Sequence, residues 1–299
     1  MIRLGALLAL ATLGISLSAR DIPGAGSPVS VVVTVKPTAN APVQSLTVDD
    51  VLVSQNKQPL RVTTLQPLRS QSGLQFWILI DDGSSSTLGT QLADLKTFVL
   101  GQSPSAEIGI GYMRNGTVQK LQPLTTDHQR AVKALRLPLA MAGISASPYL
   151  ALQDLIRKWP SASAPREVLM VSSGVDPDFG GGPDNPYLYA AINTAQRAGV
   201  IVYSIYYSGA GAHPYRQLFW GQNYLAQLSD ETGGELYWLG TVNPVSMAPY
   251  LDDLSRRLNS QYVLTFIANP ENKPGFQSVK IKCELPHVHL TSPAKVYVQ

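Results

Sequence analysis

Asp81, Asp82, Ser84 and Ser86 follow the apolar run Phe76-Trp77-Ile78-Leu79-Ile80 and set two carboxylates beside a row of hydroxyls. Asp82-Gly83-Ser84-Ser85-Ser86 has the spacing D-x-S-x-S, which in a tight loop turns one carboxylate and two hydroxyls toward one point. Oxygen donors of that kind suit a hard divalent cation such as Mg²⁺ or Mn²⁺. The same groups can equally satisfy backbone groups where a strand ends and cap the helix that follows. Both readings are open at the level of the residues.

Five consecutive apolar residues are too few for a helix and enough for a strand covered on both faces, as in the middle of a parallel sheet. In open α/β sheets, ligands bind at the carboxyl ends of such strands. The other elements matter here as the scaffold of that strand end.

From Gln75 the pattern alternates. An amphipathic helix is expected over 88–101, from the spacing of Leu88, Leu92, Leu95, Phe98 and Val99. A strand over 106–113, an Asn115-Gly116 hairpin turn and a partner strand over 117–124 come next. Thr126 or Asp127 caps a helix to Leu135, and Ser147-Pro148 opens another that runs to Trp159. A buried strand over 167–174 leads into a loop rich in Gly, Pro and Asp, then helix 187–198, strand 200–207 and helix 223–232. The fold class expected is α/β, a doubly wound, mostly parallel, Rossmann-like sheet over residues 71–259. Residues 20–70 read as a linker and a small β unit, and 260–299 as a C-terminal β segment that could join it.

With 299 residues, 44% of them hydrophobic, the chain can bury one substantial core and a smaller satellite. Charged residues make up 14% and the net charge is +3, so no strong field exists to attract nucleic acid or an anionic membrane. Residues 1–19, with Arg3, the apolar stretch from Leu4 to Leu17 and small residues near Ala19, read as a signal peptide. An anchor helix that stays attached is the alternative. No other run approaches the roughly 18 apolar residues of a membrane span, so a soluble mature protein, periplasmic or extracellular, is expected. The single cysteine, Cys283, can form no disulfide within the chain.

Other groups bear on function. Nucleophilic catalysis needs a hydroxyl or thiol with a His base and an orienting acid. None of His128, His213, His287 and His289 is placed by the coarse fold beside the serine-bearing strand ends, and Ser172-Ser173-Gly174 lacks the leading glycine of a nucleophile elbow. His287 and His289 share a face on an expected strand, with Cys283 nearby, but too few ligands gather there for zinc. The stretch from His213 to Trp220 reads as a loop at the Asp81 edge. Its Tyr215, Arg216 and Trp220 are residue types that dominate binding hot spots.

Taken in order, five stretches give the chain a family likeness. They are the strand running into Asp81-Asp82-Gly83-Ser84-Ser85-Ser86, the Gly143-Ile144-Ser145-Ala146-Ser147 turn, and the strand end Val168-Leu169-Met170-Val171-Ser172-Ser173-Gly174. Leu228-Ser229-Asp230-Glu231-Thr232-Gly233-Gly234 and Gln261-Tyr262-Val263-Leu264-Thr265-Phe266 complete the set. The chain resembles the von Willebrand factor type A (VWA) domain, in particular the exported VWFA-related proteins of acidobacteria.

The resemblance implies a metal-ion-dependent adhesion site. Asp82, Ser84 and Ser86 match its first motif by spacing; counted from Asp81 instead, Gly83 falls on the first Ser position. The family's loop Thr falls on Ser147, with Ser145 beside it, and its Thr-Asp-Gly becomes Ser172-Ser173-Gly174. Ser173 brings no full charge, so a bound Mg²⁺ or Mn²⁺ would rely on Asp81, Asp82 and hydroxyls, with Asp176 or Asp178 in support. The function implied is a protein-binding or adhesion module with a degenerate metal site, its partner a protein or surface ligand offering a carboxylate. A secreted hydrolase and a structural envelope component are the alternatives.

Overall fold

The computed structural model describes residues 26–37, 45–68, 73–140, 147–160, 164–209, 213–238, 240, 242–269 and 274–298. The expected signal peptide and residues 143–146 of the turn lie outside them.

A six-stranded sheet forms the centre. Its strands are β5 (Gln75–Asp81), β6 (Glu107–Arg114), β7 (Thr117–Thr125), β8 (Arg166–Ser172), β9 (Val200–Tyr206) and β10 (Leu236–Tyr237). Their order is β10-β9-β8-β5-β6-β7, parallel except for β7, which turns back on β6. The fold class is thus α/β, mixed and mostly parallel. β5 lies between β8 and β6, so both its edges are paired, and helices cover both its faces, which gives its run of apolar residues two destinations.

Alternation along β5 divides those residues. Phe76, Ile78 and Ile80 pack with Leu95 and Phe98 of α1 (Leu92–Leu100), Ala131 of α2 (His128–Lys133) and Leu254 of α6 (Ala248–Leu258). Trp77 and Leu79 face the opposite layer, where α3 (Pro148–Arg157), α4 (Pro186–Ala198) and α5 (Tyr215–Thr232) supply Leu152, Leu188 and Leu228. Loops leaving β5, β8 and β9 therefore converge at one edge.

The remaining strands form two four-stranded sheets around a second core. One has β1 (Ser27–Pro37), β4 (Val62–Pro67), β11 (Gln261–Ala268) and β13 (Val288–Thr291), in the order β13-β1-β11-β4. The other has β2 (Val51–Gln55), β3 (Gln58–Leu60), β12 (Gly275–Cys283) and β14 (Lys295–Val298), in the order β14-β12-β2-β3. Val31, Val33, Val53, Phe266 and Val298 meet between them. Strands from both ends of the chain thus share each sheet.

Several local expectations change. The helix expected over 88–101 begins as a 3-10 segment, Ser86–Thr90, with α1 starting only at Leu92. α5 starts at Tyr215, not near 223, so Tyr215, Arg216 and Trp220 belong to its first turns and not to a loop. The helix runs through Gly221, where a Cβ would lie 2.4 Å from the Ser173 carbonyl oxygen, so close backbone approach calls for glycine there. His287 occupies a turn with φ of 63°, while His289 lies on β13, so the two do not share a strand face. Among the described residues no helix is long and apolar enough to cross a membrane.

Candidate functional site

The carboxyl edge of the central sheet brings together the loops after β5, β8 and β9. Ser85 N–H donates to the Ser208 carbonyl at 3.2 Å, and Ser84 forms an isolated bridge with Gly209. The loop after β8 is fixed by close backbone approach: a Cβ on Gly174, whose φ is +67°, would lie 2.2 Å from the Gly221 carbonyl oxygen. Only glycine fits that position.

Asp81 and Asp82, adjacent in sequence, have separate partners. Asp81 accepts from Gly83 N–H at 2.9 Å and from the Ser172 hydroxyl at 2.9 Å. Burial pushes its carboxyl above the ordinary range, against the pull of those two bonds and of nearby His213. Asp82 is wholly buried and accepts from both terminal nitrogens of Arg136, Nη1 to Oδ1 at 2.7 Å and Nη2 to Oδ2 at 2.9 Å. Leu139 N–H adds a third bond at 3.1 Å.

The other candidate residues divide into a polar knot and a rim. Ser147 precedes α3, but its hydroxyl makes no capping bond. It donates instead to Asp176 at 2.9 Å, while Ser147 N–H donates to the Asp178 carboxylate at 2.8 Å. Asp176 also accepts from Asn185 Nδ2 at 2.8 Å, and burial, opposed by these bonds, raises its carboxyl above the ordinary range. The Ser173 hydroxyl accepts from Val175 N–H. Ser86 is exposed at the start of the 3-10 segment. Ser84 Oγ is buried with no hydrogen-bond partner among the described residues.

Tested against a divalent cation, this donor set does not fit as arranged. Both oxygens of Asp82 hold a guanidinium, both of Asp81 accept from neighbours, and Asp176 is tied to Ser147 and Asn185. Among the described residues no group of three or more His, Cys, Asp or Glu is gathered as metal ligands. Arg136 and Asn185 are the site residues that sequence patterns pass over. Arg136 follows α2 far along the chain from Asp82, and nothing in its neighbourhood marks it as a partner.

The rim is aromatic. Trp220 stacks on Tyr224 with ring centroids 5.9 Å apart, and Phe179 approaches Tyr224 at 6.5 Å. A Cβ on Gly181 would lie 3.0 Å from Trp220 Cδ1, and Tyr224 donates to the Gly182 carbonyl at 2.6 Å, so the glycine-rich loop is pinned against these rings. Trp220 is half-buried in this packing, whereas Tyr215 is 74% exposed, Phe219 46% exposed, and Arg216 lies exposed beside them. His213, expected away from the serine-bearing strand ends, lies at this edge instead, close against Gly209, which bridges Ser84; buried Glu167 lies at the amino end of β8.

No family model matches the chain, and no curated protein matches it. Among solved structures, an aerotolerance-related membrane protein from Bacteroides fragilis is similar at 14% identity, covering 62% of this chain and 99% of its own, with a TM-score of 0.46. BatB from Bacteroides thetaiotaomicron is similar at 13% identity, over 62% and 97%, with a TM-score of 0.46. The ArnB paralog VWA2 from Sulfolobus acidocaldarius gives 11% identity over 90% and 76%, with a TM-score of 0.42.

Proposed function

We propose that this chain is an exported VWA-type recognition module, and that it binds a protein or surface ligand through the rim at the carboxyl edge of its central sheet. The observation that carries this reading is the start of α5. Tyr215 and Phe219 are exposed there beside Arg216, on a helix locked to the loop after β8 by the Gly174–Gly221 contact. Rigid aromatic side chains beside an arginine form the composition of binding hot spots, and a fixed backbone lowers the entropy lost on binding.

The carboxylates of the sheet edge are held by internal hydrogen bonds, Asp82 by Arg136 as well, so the edge serves as the platform of the rim. A partner engages the rings first and meets the hydroxyls of Ser85 and Ser86 at the border. No catalytic step is part of this reading. Export follows from residues 1–19 alone, and secretion of the chain with its amino terminus near residue 20 is the check on it.

Affinity capture from the envelope and medium of the producing organism tests the reading, with the Tyr215→Ala/Phe219→Ala variant run in parallel. The reading requires a captured ligand that the double variant loses. Equal capture by both proteins contradicts it.

A further inference from the structure

We propose that the Arg136 guanidinium is the resident cation of this sheet edge, so that Asp82 is charge-paired and the end of β5 ordered without a divalent metal. The proposal concerns the charge balance beneath the recognition reading, and its test requires no partner.

Asp82 is fully buried, and a buried carboxylate must be paired and hydrogen-bonded to remain charged. Arg136 meets it in the two-pronged geometry that matches a planar guanidinium to a carboxylate. The arginine is itself held in place. Its guanidinium carbon lies 3.9 Å from the centroid of the Tyr112 ring, and Nη1 also donates to the Leu137 carbonyl at 2.7 Å. The Tyr112 hydroxyl donates to the Arg136 carbonyl at 2.6 Å and accepts from Arg136 N–H at 2.7 Å, so one phenol fixes the backbone that carries the cation.

The backbone after Arg136 closes over the same carboxylate. Leu139 N–H donates to Asp82 Oδ1 at 3.1 Å, and Ala140 N–H donates to the Asp82 carbonyl at 3.1 Å. Residues 136–140 thus form a strap across the end of β5, anchored by charge at one end and by backbone bonds at the other. A divalent ion at Asp82 would place its charge against the guanidinium, and admitting it requires the arginine, and with it the strap, to leave. Asp81 and Asp176 are likewise committed to neighbouring donors, and Asp178 accepts from Ser147 N–H.

Calorimetric titration of MgCl₂ and MnCl₂ into the purified protein, with Asp82→Ala in parallel, is the first arm. The proposal expects no saturable heat from the wild type, or a signal that Asp82→Ala retains and that therefore arises elsewhere. Saturable binding that Asp82→Ala abolishes overturns it. The second arm compares unfolding temperatures of the wild type, Arg136→Lys and Arg136→Gln in chelator. The order expected is wild type above Lys above Gln, with Gln lowered by several degrees or unable to fold. An Arg136→Gln protein as stable as the wild type overturns the proposal. Loss or retention of a captured ligand enters neither arm, so the recognition reading fails or stands separately.

Discussion

Gln261 donates from Nε2 to Glu167 Oε1 at 2.7 Å, joining the first residue of β11 to the amino end of β8. The same nitrogen lies 3.1 Å from the Tyr203 hydroxyl, and Thr34 of β1 closes the cluster. The β-sandwich is thereby fastened to the central sheet at the end opposite the candidate site. Glu167 Oε2 and Gln261 Oε1 are buried without hydrogen-bond partners among the described residues. Two unsatisfied acceptors in one cluster call for a proton, and burial pushes the Glu167 carboxyl up to about 8 despite the bond from Gln261.

A pH dependence follows from this cluster. The folded-state value lies above the ordinary 4.5 of an unfolded glutamate, so between the two the native protein holds the proton that the unfolded chain has lost. Stability should therefore fall as pH rises through that window and level off above about 8. Glu167→Gln supplies an amide donor without a titration. Chemical denaturation at pH 5 and pH 8 should show the variant gaining on the wild type at the higher pH. The gain is at most about 1.4 kcal/mol for each pH unit that separates the folded and unfolded values. Parallel pH profiles of the two proteins would contradict the assignment.

Gly221→Ala should destabilise by about 1–3 kcal/mol, as overpacking does in a close-packed interior. Its added methyl would meet backbone on three sides: Ser173 O, Val175 N and Gly174 C all lie within 3 Å of the Cβ position. Alanine is otherwise the better helix former by about 1 kcal/mol, so the sign of the change decides between propensity and close approach. Denaturant midpoints of wild type and variant suffice.

Much of the frame is legible locally, and the exceptions share one cause. The β5 run, the Asn115-Gly116 turn, the Asp127 cap and the start of α3 at Pro148 follow from periodicity and cap chemistry between near neighbours. Where distant residues decide, the pattern misleads. The stretch from His213 to Trp220 reads as a loop because Gly174, whose close approach to Gly221 seats α5, is far off in sequence. Ser147 reads as a capping hydroxyl because Asp176, which accepts its hydrogen bond, arrives from the loop after β8. Arg136 carries no local sign of its bond to Asp82. The D-x-S-x-S spacing is real, but spacing does not say which cation answers the carboxylate.

Removing one member of that ion pair should be expensive. Breaking a buried pair costs on the order of 3–5 kcal/mol, because the other charge stays behind uncompensated. Arg136→Gln should fall toward that range, and Asp82→Asn, which leaves a cation able to turn to solvent from a side chain 33% exposed, should cost less. A double-mutant cycle on the pair should show strong coupling. Additive losses would show that the two side chains act independently.

Tyr215→Ala and Phe219→Ala should leave the unfolding midpoint within about 0.5 kcal/mol of wild type, as surface substitutions generally do. Trp220→Ala, by contrast, should destabilise, since it removes the ring that stacks on Tyr224 and supports Gly181. The pair of results separates the exposed part of the rim from its packed foundation.

The most direct test of rim recognition is site-specific photocrosslinking in the producing organism. One protein carries a benzophenone amino acid in place of Tyr215, and a control carries it in place of Thr194, on α4 away from the carboxyl edge. The account predicts a discrete adduct from position 215 and none from 194, unaffected by chelator. Adducts from 194 alone, or an adduct at 215 that chelator removes, would contradict it.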